Sequence, residues 1–260
     1  MRGIIIAAGM GKRMKELTNS KPKCLLQIGG KSLLEWTIEG MKYAGCNEIF
    51  VITGYKGNQI KKLGYSTIEN KEYKSNNILQ SFFKAKKIIN NDILVAYSDI
   101  YVEKEIFRQL AEYNKDLILT IDKSWQSYYK NRTLHPVEQA EKATLDKNFK
   151  VEEIGKDITI NKNKKYYEFI GLFKVSKNAT KVINKTYSLI NNKINLQDGF
   201  ERSDSWKNAY ITDFFQFIIN NQILEINAHI ISKGWAEFDT MEDYFRVNDI
   251  KKTQKLISIK

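Results

Sequence analysis

The sequence predicts an α/β fold, a mostly parallel twisted sheet with helices on both faces and an inserted antiparallel portion in the second half of the chain. Three observations lead there. Up to about residue 122, short apolar runs alternate with stretches of helical period. Those runs lack polar alternation, as strands covered on both faces must. Beyond residue 122 the pattern changes to polar and aromatic stretches of α+β character.

Residues 3–8 form an Ile/Ala run that stops at Gly9, so the first strand should give way there to a loop. Over residues 32–43, Leu33, Leu34, Trp36, Ile38 and Met41 fall near helical spacing and Gly45 supplies a stop. Residues 49–53 read as the next strand and complete a βαβ unit. A helix over 77–89, a strand over 93–97, a helix over 103–113 and a strand over 117–121 follow. In the second half, strands are expected near 151–154 and over 167–175, then helices over 177–190 and 211–219, a strand over 223–231 and a last helix over 241–251. No internal repeat and no linker rich in Pro, Gly or Ser divides the chain, so residues 1–122 and 123–260 are expected to be halves of one domain.

Composition narrows the function. At 260 residues, with 42% hydrophobic and 28% charged residues, the chain can bury a core and is not intrinsically disordered. Cys24 and Cys46 form no CxxC pair, and only His135 and His229 could join them, which argues against structural zinc or an iron–sulfur cluster and fits a reducing compartment. The N-terminal apolar run is too short for a secretory segment or a membrane span, so a cytoplasmic location without a membrane partner is expected. The net charge of +12 invites a nucleic-acid reading. Against it, only six of the 42 basic residues are Arg, and the lysines are scattered among acids. A solvated lysine-rich surface is expected, with a few basic groups serving a small polyanionic substrate.

The sharpest motif follows the first strand, Ala7-Ala-Gly-Met-Gly-Lys-Arg-Met14. Glycines at the carboxyl edge of a parallel sheet let a ligand approach the backbone, and the N–H groups around Ala7, Ala8, Gly9, Met10, Gly11 and Lys12, with Arg13, would form a nest for phosphates. Two commoner motifs fail. The dinucleotide fingerprint GxGxxG breaks at Met14, and the acidic ribose ligand about twenty residues on is missing. Gly30-Lys31-Ser32 mimics the end of a Walker A loop, but Leu25 stands where its first glycine belongs. Farther along, Pro22 stiffens a loop that presents Lys23, Ser98-Asp99 closes a strong apolar strand, and the short strand in Gly234-Trp-Ala-Glu-Phe-Asp-Thr240 ends in Asp239. Each aspartate alone would pass for a turn or helix cap.

Taken together in this order, these elements resemble the nucleotidyltransferase superfamily that activates sugar phosphates and small phospho-compounds, whose signature is a strand, AAGxGxR and a loop ending in PK. The resemblance implies a Rossmann-like fold, Mg²⁺ held by Asp99 and Asp239 and phosphates held by Arg13 and Lys23. A finer resemblance, to cytidylyltransferases of the phosphocholine and phosphonate type, rests on Asn77-Ile-Leu-Gln-Ser81, Tyr97-Ser-Asp-Ile100, Ile154-Gly-Lys156, Phe169-Ile-Gly171, Tyr210-Ile-Thr-Asp213 and Gly234-Trp235. The chain departs from the pattern at Lys12, usually Ser or Thr, and at Cys24, usually Ala or Leu.

What this second resemblance implies is transfer of CMP from CTP to phosphoglutamine, phosphocholine or a phosphonate with release of pyrophosphate, for cell-surface polysaccharide modification such as a capsule phosphoramidate. It places Asn77, Ser81, Ser98 and the backbone of Ala7, Ala8 and Gly9 at the nucleotide, and it implies no oligomeric state. Trp125, Arg132, Lys156, Tyr210 and Trp235 are the acceptor-side candidates. An aromatic set of Trp125, Tyr128, Tyr129 and Trp235 would suit a quaternary amine, whereas Arg132, Glu138, Glu141 and Lys156 would suit an amino-acid phosphate. Neither His135 nor His229 is expected in catalysis, and Cys24 is expected to be a small buried residue. Two other readings share these features: a sugar-1-phosphate nucleotidyltransferase using UTP, dTTP or GTP, and a non-catalytic nucleotide- or nucleic-acid-binding module.

Overall fold

The computed structural model describes residues 1–248. Its first half comprises β1 (Arg2–Ala7), β2 (Gln27–Ile28), β3 (Lys31–Ser32), α1 (Leu33–Tyr43), β4 (Glu48–Thr53), α2 (Gly57–Lys62), β5 (Ser66–Glu69), α3 (Ile78–Phe83), β6 (Ile93–Tyr97), β7 (Ile100–Val102), α4 (Lys104–Glu112) and β8 (Leu117–Asp122). The second half adds α5 (Gln126–Tyr129), β9 (Lys142–Leu145), β10 (Val151–Gly155), β11 (Tyr167–Val175), α6 (Lys177–Lys193), α7 (Ile211–Asn220), β12 (Ile226–Ile231), β13 (Trp235–Glu237) and α8 (Met241–Asn248).

One sheet runs β5-β4-β1-β6-β11-β8-β12. Its pairs are parallel except where β11 enters between β6 and β8 and runs against both. The antiparallel pair β9 and β10 hangs on the start of β11 through Tyr167 and Glu168. Strands from both halves of the chain therefore share one sheet, and the α/β class with an antiparallel insertion is the architecture observed.

Strand alternation assigns the two faces. Ile4, Ile6, Val95, Leu119 and Phe173 point to a core closed by Phe82 and Phe83 of α3, Ile183 of α6 and Phe214 of α7. Their neighbours Ile5, Ala7, Leu94, Ile118 and Leu172 point to the opposite core, closed by Leu34, Ile38 and Met41 of α1 and Phe107 and Leu110 of α4. A period of two in the strands and amphipathic helices on both sides account for the unbroken apolar runs in the sequence. Among the described residues no helix is long and apolar enough to cross a membrane.

Several boundaries differ from the sequence reading. The helix expected over 77–89 is α-helical only to Phe83, and residues 84–88 continue in three-residue turns such as Ala85 N–H to Phe82 O. The strand expected from residue 223 starts at Ile226, because residues 222 and 223 finish α7: Gln222 N–H bonds Ile219 O and Ile223 N–H bonds Ile218 O. Beyond Asn248, the last helix as expected falls outside the described residues. The Walker-like Ser32 is the N-cap of α1, paired with Glu35 in a capping box.

Gly171 lets β6 and β11 approach at the sheet's working edge. It adopts φ +80°, and a Cβ there would collide with the Tyr97 ring. Gly171→Ala is expected to lower unfolding free energy by about 1–3 kcal/mol through overpacking, read by urea denaturation; an unchanged midpoint would show that Tyr97 can yield without cost.

Candidate active site

A cavity of about 390 Å³ opens where β1 and β6 end and β11 begins. Its floor is the loop after β1. Gly11 takes φ +61°, and a Cβ there would lie 3.2 Å from both Lys23 Cβ and Thr18 Cγ2, so the loop, the Lys23 stem and Thr18 pack too closely for a side chain. Thr18 Oγ1 donates to Gly11 O at 3.0 Å, and Tyr55 Oη donates to Thr18 O at 3.0 Å, which fixes the loop from below. Gly9 has open space where a Cβ would project, leaving its backbone accessible.

Lys23 begins a 3₁₀ turn after Pro22, closed by Leu25 N–H to Pro22 O at 3.0 Å. Cys24 faces the core and anchors this turn; burial pushes its thiol up to about 12, which keeps it neutral. Lys23 reaches into the cavity. Its Nζ lies 2.7 Å from Asp99 Oδ2 and 2.9 Å from Asp239 Oδ1. Asp99 lies in the two-residue link between β6 and β7, and Asp239 comes from far along the chain. They meet because β7, immediately after Asp99, pairs antiparallel with β13, and Phe238 N–H bonds Asp99 O at 2.8 Å.

The other oxygen of Asp239 receives the Arg13 guanidinium and lies 3.0 Å from His135 Nδ1. Burial alone would raise the Asp239 carboxyl, but Lys23, His135 and Arg13 together hold it far below the usual carboxylate range. Conversely, burial would lower the Lys23 ammonium, and the two aspartates outweigh it and keep it charged. Asp243 supports the backbone here, accepting from Asp239 N–H and Thr240 N–H at the start of α8.

A hard divalent ion takes oxygen ligands, and Mg²⁺ is commonly held by one or two carboxylates, with waters and substrate phosphates completing its coordination. By this test Asp99 and Asp239 fit Mg²⁺, since both already meet the single Lys23 ammonium. A second group, His135, Glu237 and Asp239, also brings three ligand atoms within 4.8 Å of one another. There the positive charge comes from Arg132, 3.2 Å from Glu237, and from Arg13 on Asp239.

Of the residues singled out from sequence, Ala7, Ala8, Gly9, Gly11, Lys12, Arg13, Lys23, Asn77, Ser81, Ser98, Asp99, Lys156, Tyr210, Trp235 and Asp239 all line this cavity. Met10 does not, although its neighbours do. Asn77 caps α3, its Oδ1 accepting from Ile78 N–H and its Nδ2 donating to Asn208 O. Ser81 donates to Asn77 O and accepts from Asn70, so both side chains build the wall more than they offer free donors.

Two acceptor-side expectations are corrected. Trp125 is 1% exposed in a separate aromatic cluster and spends its indole N–H on Tyr166 O, so it supports the wall from behind. Arg132 does not reach the cavity either; it is buried between Asp243 and Glu237 and orients the latter. His135, set aside from sequence, belongs to the site. Glu242, at the first turn of α8, accepts from the backbone of Thr133 and Leu134, and this anchor lays the loop over Asp239. Gln139 of the same loop accepts from Arg13 at 2.7 Å.

Deeper in the cavity stand three carboxylates. Glu141 is pushed up to about 7 by burial, with Lys156 pulling it back. Glu168 is raised well above an ordinary carboxyl by burial and by Glu237, and accepts from Tyr129 Oη. Burial raises Glu237 too, reinforced by Asp239. Lys156 lies over the Tyr210 ring at 4.3 Å, and Tyr97, Tyr129, Phe169 and Trp235 complete an aromatic surround.

Residues 3–148 match the MobA-like NTP transferase domain family. Across 258 residues, 94% of this chain and 97% of the relative, the sequence is 31% identical to CTP:phosphoglutamine cytidylyltransferase of Campylobacter jejuni. A choline-phosphate cytidylyltransferase of Streptococcus pneumoniae is 35% identical over 42% of this chain and 48% of its own length. Among solved structures, CTP:phosphocholine cytidylyltransferase from Streptococcus pneumoniae superposes with a TM-score of 0.73 at 22% identity, covering 96% of this chain and 98% of that one. UDP-glucose pyrophosphorylase bound to UDP-glucose does so with a TM-score of 0.73 at 14% identity, covering 98% and 99%. These likenesses confirm the Rossmann-like fold. With a matching family signature over its first half and an end-to-end relative, this chain belongs to the MobA-like NTP transferase domain family and is a nucleotidyltransferase.

Proposed function

We propose that this nucleotidyltransferase is a Mg²⁺-dependent cytidylyltransferase that moves CMP from CTP onto a small phosphorylated acceptor bearing an ammonium group and releases pyrophosphate. The observation that carries the reading is the convergence of Arg13, Lys23, Asp99 and Asp239 on one face of a cavity whose deeper wall holds Glu141, Glu168 and aromatic rings. Similarity to the phosphoglutamine enzyme supports CTP as donor and an amino-acid phosphate as acceptor.

In the reaction, an acceptor phosphate oxygen forms a bond to the α-phosphorus of CTP while the bond from that phosphorus to the bridging oxygen breaks and pyrophosphate departs. An ionised phosphate needs no general base, so the obstacle is the repulsion of two anions, and the remedy is fixed positive charge. The Arg13 fork grips the outer phosphates. Lys23 swings between the α-phosphate and the incoming acceptor as a compact point charge. Asp99 and Asp239 would hold Mg²⁺, which when bound neutralises charge on the phosphate oxygens. Backbone groups of Ala7, Ala8 and Gly9 read the cytosine edge, because Asn77 and Ser81 spend most of their hydrogen bonds within the protein. Glu141 and Glu168 receive the acceptor's ammonium, and Lys156 receives its carboxylate. A hexose phosphate offers these carboxylates no cation.

The direct test crosses nucleoside triphosphates with phospho-acceptors and measures pyrophosphate. Turnover should be greatest with CTP and phosphoglutamine, phosphocholine or 2-aminoethylphosphonate, and should require Mg²⁺. Turnover confined to hexose 1-phosphates would overturn the acceptor assignment, and length-dependent RNA or DNA binding without turnover would overturn the enzyme.

Acceptor affinity should depend on pH in a stated direction. Glu141 is neutral below about 7 and anionic above it, so its attraction for an ammonium is present at higher pH and fades as pH falls. Between pH 6 and 8 its ionised fraction rises roughly tenfold, and acceptor KM should fall by up to that factor. Glu141→Gln should flatten the profile; a parallel profile in the variant would assign the dependence to another group.

A further inference from the structure

Lys23 stands where two carboxylates meet, and that position has a consequence for how a metal can enter. The ammonium lies 2.7 Å from Asp99 and 2.9 Å from Asp239, at 13% side-chain exposure. A divalent ion bound by the same two oxygens would need that space, and like charges at such range repel strongly away from bulk water. Charge balance points the same way. Lys23 and Arg13 offset Asp99 and Asp239, so a bare divalent cation would add two uncompensated charges, whereas a metal–triphosphate complex brings its own anions. The other cavity carboxylates already have partners: Glu141 faces Lys156, Glu168 accepts from Tyr129 Oη, and Glu237 faces Arg132 and His135. Its stem instead rests against Gly11, which tethers the ammonium within a swing of the loop where phosphates would lie.

We propose that Lys23 is the resident cation of the metal seat, so that the free protein turns away a bare divalent ion and admits it only with a nucleoside triphosphate, whose phosphates draw the ammonium off both aspartates. This rests on the reading of Asp99 and Asp239 as the metal ligands.

The test is a Mn²⁺ titration of the full chain without nucleotide, followed by the electron paramagnetic resonance signal of free Mn²⁺. The unsubstituted protein, Lys23→Met and Lys23→Met/Asp99→Asn are compared, with Lys23→Gln in place of Lys23→Met should circular dichroism show that the methionine variant does not fold. Lys23→Met should bind Mn²⁺ roughly tenfold or more tightly than the unsubstituted protein, and adding Asp99→Asn should abolish the gain. Equal affinity with and without the Lys23 charge would overturn the resident-cation proposal, and the metal reading would survive it if Asp99→Asn still weakened binding. A gain that persists in the double variant would move the seat elsewhere and overturn both.

Discussion

The contact between the Lys23 ammonium and the two carboxylates of Asp99 and Asp239 is the constraint around which the rest of the molecule is arranged. Removing three charges from most of their water is costly, and a buried ion cluster is weak evidence of added stability. Its geometry makes sense as machinery. Asp99 lies between β6 and β7 and Asp239 two residues past β13, and they meet because β7 and β13 pair. Arg13 and His135 then crowd the remaining oxygen of Asp239, keeping it ionised and fixed in direction.

Topology explains why one edge of the sheet gathers the Gly loop, Asp99 and the start of β11. β1 and β6 are parallel, so the Gly loop and Asp99 leave at the same edge. β11 runs against β6, so its beginning, with Glu168, Phe169 and Gly171, lies at that edge as well. The antiparallel insertion thereby lays an acidic and aromatic wall beside a basic, glycine-lined floor. A phosphorylated acceptor with a cationic end fits this polarity, its phosphate towards Lys23 and its ammonium towards Glu141 and Glu168.

Much of this was legible in the sequence, for physical reasons that also define where legibility ends. Strands such as residues 93–97 and 117–121 are buried on both faces, so their composition declares them. β5, at the sheet edge, reads Ser-Thr-Ile-Glu with no fully buried residue, so its composition does not declare a strand. The Gly loop, Lys23 and the strand-end aspartates carry local signals, since a turn, a proline or a carboxylate after an apolar run stands out. His135 and Glu237 carry none; they reach the site through the Glu242 anchor and the β7–β13 pairing, neither of which leaves a periodic trace. Trp125 and Arg132 show the opposite case. An indole and a guanidinium are ordinary ligand binders, but here Tyr166 O and Asp243 claim them behind the wall.

The most direct measurement is a crystal structure with a non-hydrolysable CTP analogue and Mg²⁺. The ion should bind one oxygen each of Asp99 and Asp239, with Lys23 and Arg13 moved onto the phosphates and cytosine against the backbone of residues 7–9. A triphosphate bound outside this cavity, or one bound inside it while Lys23 still bridges both aspartates, would contradict the role given to that charge cluster.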